Sequence, residues 1–425
     1  MTELLILIVF IAGYIAIAFE HPLKVNKAAS ALITGVLCWT VYILQSDNVT
    51  AVSEQLLHGF GDIASILFFL LGAMTIVELI DSHNGFDIIT QKINTKSKRQ
   101  LLFIIAAITF FLSSLLDNLT TAIVMTSLCI KLLSEKEDRL WFAGIIIIAS
   151  NLGGAWSPLG DVTTTMLWIG GQITPVNIII TLLLPCLLAC IIPALIIGRR
   201  FKGKIFQSLP ITETTVAEKR EGKIILIAGL GFLLFVPLFK TITHLPPFMG
   251  MLLALGLMWV ITTIIHKDKD ADYKEKFTVA RALQKIDTPS ILFFLGILLA
   301  VAALQSTGML KSMAAILNST FKNDYLIGTV LGLLSSVVDN VPLVAAAQGM
   351  YDLNTYPTDH SFWEFLAFTT GSGGSAIIIG SAAGVAVMGI EQIDFMWYLK
   401  KISWIALIAF VVGIAVFLLQ QYILH

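Results

Sequence analysis

Charge is what this chain has least of. Of 425 residues only 13% are Asp, Glu, Lys or Arg, against 57% hydrophobic, and the mean hydropathy is +0.87. So little polar surface cannot cover a soluble globule, and the chain reads as an all-α polytopic membrane protein whose first partner is the lipid bilayer. Cysteine is scarce as well: Cys38, Cys129, Cys186 and Cys190 all lie in apolar segments with no histidine at zinc-ligand spacing. They read as small core residues and carry no information about redox compartment. No glycine-rich phosphate loop with its lysine occurs, so no nucleotide and no ATP-driven step is expected. No cofactor and no nucleic acid is expected either.

What is present is a series of apolar runs, among them 4–19, 28–44, 66–80 and 401–420, each close to the roughly 20 residues that cross about 30 Å of hydrocarbon. Ala16-Ile17-Ala18 could pass for a signal-peptidase site, but no basic region precedes it, and 4–19 reads as a first transmembrane helix. Two charged stretches interrupt the apolar pattern, 199–223 and 266–287. The first divides the chain near its midpoint. On either side the same order recurs: two plain helices, a helix beginning Ile-Leu-Phe-Phe-Leu (66–70 and 291–295), a segment reading SS..DN, a glycine-rich segment and a final plain helix. This is an internal duplication, with repeats at 1–205 and 223–425 joined by a cytoplasmic linker at 206–222.

The SS..DN segments, SSLLDN at 113–118 and SSVVDN at 335–340, set the topology. Residues 101–133 are too long for one crossing and too short for two, with a polar cluster at the centre, and 324–350 repeats the arrangement. Each reads as a re-entrant hairpin, a shape tolerated at membrane depth only inside protein or beside a wet cavity. With neither hairpin crossing there are about ten transmembrane helices. Of the 27 Lys and Arg, all but Lys240, Lys311 and Lys322 then fall on one side, as the positive-inside rule requires. Both termini are placed outside and the second repeat is inverted relative to the first.

An aspartate near the midplane costs about 2.5–3.5 kcal/mol on insertion scales and is a functional suspect. Asp117 and Asp339 are such residues, one at each hairpin tip. Ser113, Ser114, Asn118, Thr120 and Thr121 surround the first, and Ser335, Ser336 and Asn340 the second. Hydroxyl, amide and carboxylate oxygens without Cys or His suit a hard monovalent cation, Na⁺ or Li⁺, with Asp117 and Asp339 as its charged ligands. Asp and Asn also cap helices, but a neutral residue would cap without the cost of a charge.

The glycine-rich segments, NLGGAWSPLGDVTTTMLW (151–168) and GSGGSAIIIGSAAGVAVM (371–388), superpose at an offset of 220, placing Gly153, Gly154 and Gly160 on Gly373, Gly374 and Gly380. They read as broken helices, 140–170 and 361–388, whose interruptions free carbonyls and helix ends toward a ligand; close helix packing through small residues is the plain alternative, and the favoured one for Gly380 and Gly384 alone. Asn151, Asp161, Thr163, Ser372 and Ser375 join the candidate site. Asp161 aligns with Ser381 and Thr163 to Thr165 with Ala383 to Val385, so the site leans toward the first half. Glu78, Asp81 and His83 end the third helix and form a candidate proton-uptake or pH-sensing cluster, with ordinary helix-end polarity as the plain alternative. Glu364, Glu391 and Asp394 sit at helix ends and receive only that plain reading.

Taken together, SSLLDNLTTAIVM (113–125), NLGGAWSPLGDVTTTMLW (151–168), SSVVDNVPL (335–343) and GSGGSAIIIGSAAGV (371–385) resemble the NhaD-type sodium/proton antiporters of the ion-transporter superfamily. The resemblance covers essentially the whole chain. It implies paired inverted repeats, two hairpins, a homodimer, elevator-like movement of the hairpin domain, and a bacterial inner membrane. Carried over to matching positions, it points to Asp117, Asn118, Asn151, Asp161, Thr163, Ser335, Asp339 and Asn340. The expected function is a secondary transporter, not an enzyme, that exchanges cytoplasmic Na⁺ or Li⁺ for external H⁺, with proton and cation competing for the tip aspartates. A dicarboxylate symporter or arsenite exporter of the same superfamily is the alternative; two acidic tips and no Lys or Arg in the core segments disfavour anions. An intramembrane aspartyl protease is remoter, because no Gly-x-Gly-Asp fingerprint surrounds either tip.

Overall fold

The computed structural model describes residues 2–90, 95, 97–201, 203, 216–270, 273–274 and 277–424. Among these the regular structure is helical, with no β-strand. Seven helices are long and apolar enough to cross a bilayer: Lys27–Leu44, Val49–Ser82, Pro175–Gly198, Ala217–Thr243, Pro247–Ile265, Thr288–Ser306 and Ser403–Ile423. Their outward faces carry bare apolar side chains such as Leu57, Ile180, Leu238 and Ile264, each at least 60% exposed. A soluble protein would not leave this much hydrocarbon in water, and the chain is a multi-pass membrane protein.

Short polar side chains decide where the helices begin. Asn26 accepts the Ala28 N–H, Asn48 the Ala51 N–H and Asn323 the Leu326 N–H, at 2.8–3.0 Å, each relieving one of the donors a helix start leaves unpaired. Pro175 and Pro247 open their helices at positions where no N–H is needed.

The SS..DN segments form helix pairs: Lys98–Ser113 with Asn118–Leu132, and Asp324–Leu334 with Asn340–Met350. The stretch read as a broken helix at 140–170 is Lys136–Ala155 followed, after a gap at 156–161, by Val162–Ile169. Its counterpart is Ser361–Gly373, a 3₁₀ turn at Ile378–Gly380, and Ala382–Glu391. Helix Val216–Thr243 starts inside the stretch read as linker; residues 206–215 of that linker, and Lys92 and Lys96 among the basic residues counted on the inner side, lie outside the described residues. Two short helices, Met309–Phe321 and Phe395–Lys401, were not anticipated from the sequence.

The two interrupted helices form the centre. Every residue from Trp141 to Ala155 and from Phe362 to Gly373 is buried. A helix buried on all sides must be apolar or internally satisfied, and this one pair brings the polar residues of both glycine-rich segments inside.

Candidate ion site

Both SS..DN tips are helix starts. Asp117 caps Asn118–Leu132, its Oδ1 accepting the Thr120 N–H at 2.8 Å and its Oδ2 the Thr120 hydroxyl at 2.6 Å. Asp339 caps Asn340–Met350 and accepts the Val341 N–H at 3.2 Å. Both aspartates are half-buried, while the asparagines that follow them, Asn118 and Asn340, are buried.

The same backbone joint seats each tip on its interrupted helix. The Ser113 hydroxyl donates to the Ser150 carbonyl at 2.6 Å, and the Ser335 hydroxyl to the Thr370 carbonyl at 2.7 Å. Beside these bonds the helices touch through glycine: a Cβ on Gly153 would strike the Phe110 carbonyl, and one on Gly373 the Gly332 carbonyl. These glycines are therefore contact positions between an SS..DN helix pair and its interrupted helix, one in each half of the chain.

What the two joints hold is lopsided. Asp161, 2% exposed, caps Val162–Ile169 and accepts the Thr163 N–H and hydroxyl, both at 2.9 Å. Its carboxylate also accepts Asn118 Nδ2 at 2.8 Å from one tip and Asn340 Nδ2 at 3.3 and 3.4 Å from the other. Asn118 Nδ2 reaches Asn151 Oδ1 at 3.0 Å, and Asn151 Nδ2 donates to Ser375 Oγ at 2.9 Å and Ser381 Oγ at 3.0 Å. One network thus runs from both SS..DN tips through both interrupted helices, with Asp161 at its hub. Among the described residues no Lys or Arg donates a hydrogen bond to Asp117, Asp161 or Asp339. The cation whose field reaches Asp339 is Lys27, whose Nζ stands 4.7 Å over the Phe293 ring.

Of the other candidates, Thr121 is fully buried one turn beyond Asn118, and its hydroxyl finds no partner among the described residues. Ser372 stands apart from the network, its hydroxyl spent on the Phe368 carbonyl of its own helix at 2.6 Å. Ser381 was missed as a site residue, although its alignment with Asp161 was the available signal.

The Glu78, Asp81 and His83 cluster lies at a separate seam. Glu78 pairs with Lys285 at 3.0 Å and accepts Ser82, and Asp81 is exposed. His83 places Nδ1 2.6 Å from the Leu79 carbonyl and Nε2 3.3 Å from Nε2 of His266, the two rings stacked 5.2 Å apart. Burial, with His266 beside it, pushes the His83 imidazole down to about 4, so it is neutral through the neutral range and this geometry lends no support to sensing near pH 7.

Comparison with known proteins decides the family. A citrate transporter family model matches residues 14–371. Sodium/proton antiporter 1 of Arabidopsis thaliana is 44% identical over 97% of this chain and 71% of its own length, and Sodium/proton antiporter 2 of the same plant 42% identical over 97% and 98%. The Na(+)/H(+) antiporter NhaD of Vibrio cholerae is 30% identical over 98% of this chain and 91% of its own. The chain belongs to the NhaD-type antiporter family of the ion-transporter superfamily. As a member of that family it is a secondary transporter and not an enzyme.

Proposed function

We propose that the protein exchanges cytoplasmic Na⁺, or Li⁺, for external H⁺ at the network centred on Asp161. One observation carries this reading: three carboxylates, Asp117, Asp161 and Asp339, gather where both SS..DN tips meet both interrupted helices, and their hydrogen-bond donors among the described residues are all neutral. Such a site has negative charge to compensate, and either a proton or a small hard cation can do so. A citrate or succinate anion would need cationic donors here and would meet carboxylates instead. The relatives' printed activities agree with the cation.

The donors also rank the carboxylates. Asp161 is saturated on both oxygens, whereas Asp339 accepts one backbone N–H. An arriving ion meets Asp339 and Asp117 with lone pairs to offer, and reaches Asp161 only when Asn118 and Asn340 turn their amide oxygens inward. The two amides thus act as the exchangeable ligands of the hub. Occupied by either ion the site can move; empty, its charge is costly in hydrocarbon. Protons drive the cycle with about 1.4 kcal/mol per pH unit and about 2.3 kcal/mol per 100 mV for each net charge moved.

In this reading the SS..DN pairs are re-entrant hairpins, the halves are inverted repeats of five crossings each, both termini lie outside, and the hairpins with their interrupted helices move as one body within a homodimer. The Lys and Arg distribution supports the orientation, and the matching joints at Ser113 and Ser335 support the repeat. The deciding experiment is Na⁺-driven proton flux in proteoliposomes, with citrate, succinate and arsenite offered separately. Proton movement with Na⁺ or Li⁺ alone is expected. Flux seen only with an anion would replace this reading with the carrier alternative.

A further inference from the structure

The second interrupted helix carries two buried glutamates, one near each end, and their surroundings differ. Glu391, 4% exposed, receives Arg139 Nε on both oxygens, at 3.1 and 3.2 Å, so its charge is matched. Glu364 is 1% exposed and receives Asn177 Nδ2 on Oε1 at 2.7 Å, while Oε2 finds no partner among the described residues. One turn beyond Asn177, the Thr181 carbonyl accepts Gln420 Nε2, whose own Oε1 finds no partner among the described residues. Helices Pro175–Gly198 and Ser403–Leu424, which supply these residues, contain no acidic or basic side chain.

Charged and titratable groups in the loop before its helix and at the start of Asp324–Leu334 are already engaged. Asp359, whose like charge reaches Glu364, accepts the Thr174 N–H and hydroxyl; His360 Nδ1 accepts the Phe362 N–H; and Asp324 accepts the Tyr356 hydroxyl. No cation stands among them. An ionised carboxylate buried with a single neutral donor is costly, and a proton on Oε2 removes that cost. The anion is nonetheless within reach, because Glu364 lies in the first turn of its helix, at the positive end of the dipole, and keeps the Asn177 bond. Glutamine would fill this space as well without titrating.

The helix that starts beside Glu364 ends at the ion network: Ser361–Gly373 runs into a turn that holds Ser375, two residues past its last helical residue. Ser375 accepts from Asn151, the network residue that also receives Asn118.

We propose that Glu364 is a proton-loading residue of the exchange reaction, taking protons from water on the face assigned to the outside and passing them toward the tip carboxylates. The proposal rests on the antiport reading above. In loading, hydronium gives its proton to Glu364 Oε2, leaving neutral carboxyl and water; in unloading, the O–H bond breaks and the proton leaves to the next acceptor inward. Nothing is oxidised or reduced.

Two measurements on the full-length protein test it. Infrared difference spectroscopy across a pH step should show a protonated-carboxyl band that is present at neutral pH, shifts in D₂O and is absent in E364Q. In proteoliposomes E364Q should lose the dependence of turnover on external pH while keeping the wild-type KM for Na⁺ on the opposite side; should E364Q not fold, N177L, which strips the remaining donor, should raise the pH at which the band disappears. A wild type lacking the band, or an E364Q whose external pH profile matches wild type, overturns the proposal. If wild type moves no protons against Na⁺ at all, the antiport reading fails, and the infrared arm still reports whether Glu364 holds an exchangeable proton.

Discussion

The two SS..DN tips share a scaffold and differ in chemistry. Ser113 and Ser335 make the same side chain to carbonyl bond, and Gly153 and Gly373 the same backbone contact. Yet the position that is Asp161 in the first half is Ser381 in the second, and the Thr120 side chain that braces Asp117 is replaced after Asp339 by Pro342. The joints match and the side chains around them do not. Geometry is held twice and charge is concentrated once, on the side of Asp161.

The largest effect should come from breaking that asymmetry at its hub. Asp161→Asn is expected to leave under about 1% of wild-type flux, since a carboxylate serving both ions is worth on the order of 3 kcal/mol or more. Ser381→Ala, which removes one neutral acceptor, should cost about 1 kcal/mol, or roughly fivefold. Equal losses in a flux assay would remove Asp161 from its central place. Next, Asp339→Asn should raise the Na⁺ KM more than Asp117→Asn does, because Asp339 has fewer protein donors and more lone pairs for the ion.

Stability effects leave transport itself untouched. His83 belongs to a first-half cluster with no acidic counterpart at 300–308. In the folded protein it stays neutral down to about 4, against about 6.5 for a free imidazole. The unfolded chain therefore binds more protons between these values, and stability present above pH 6.5 is lost as pH falls toward 4, on the order of 3 kcal/mol in full. Thermal melts of wild type and H83N should diverge in that window and run parallel above it. The least effect is expected at the joints: Ser113→Ala and Ser335→Ala should each cost about 1 kcal/mol in denaturation. A clear difference between them would break the claim that the scaffold is symmetric.

The apolar runs and the two helix starts at the SS..DN strings were legible because each is local: run length reports a long apolar helix, and an Asp-Asn pair after a polar break reports a capped start. Helix lengths below a full crossing, such as Ser361–Gly373 and Val162–Ile169, follow from glycine pairs and Pro158 that are also visible in the sequence. Partner choice was not legible. Ser372 and Ser375 look equivalent on paper, and only packing turns one to its own helix and the other to Asn151. His83 meets His266 across 183 residues, a separation that leaves no trace in spacing. Glu364 and Glu391 likewise read alike until Arg139 is found beside one of them.

The most direct test of proton and cation competing at one site is the apparent Na⁺ affinity measured as a function of pH in proteoliposomes. Competition with one proton predicts an affinity that improves as pH rises, by up to about tenfold per unit while the site titrates. An affinity flat across the same range would mean that the proton and the ion bind at separate places, and the shared site at Asp161 would have to be abandoned.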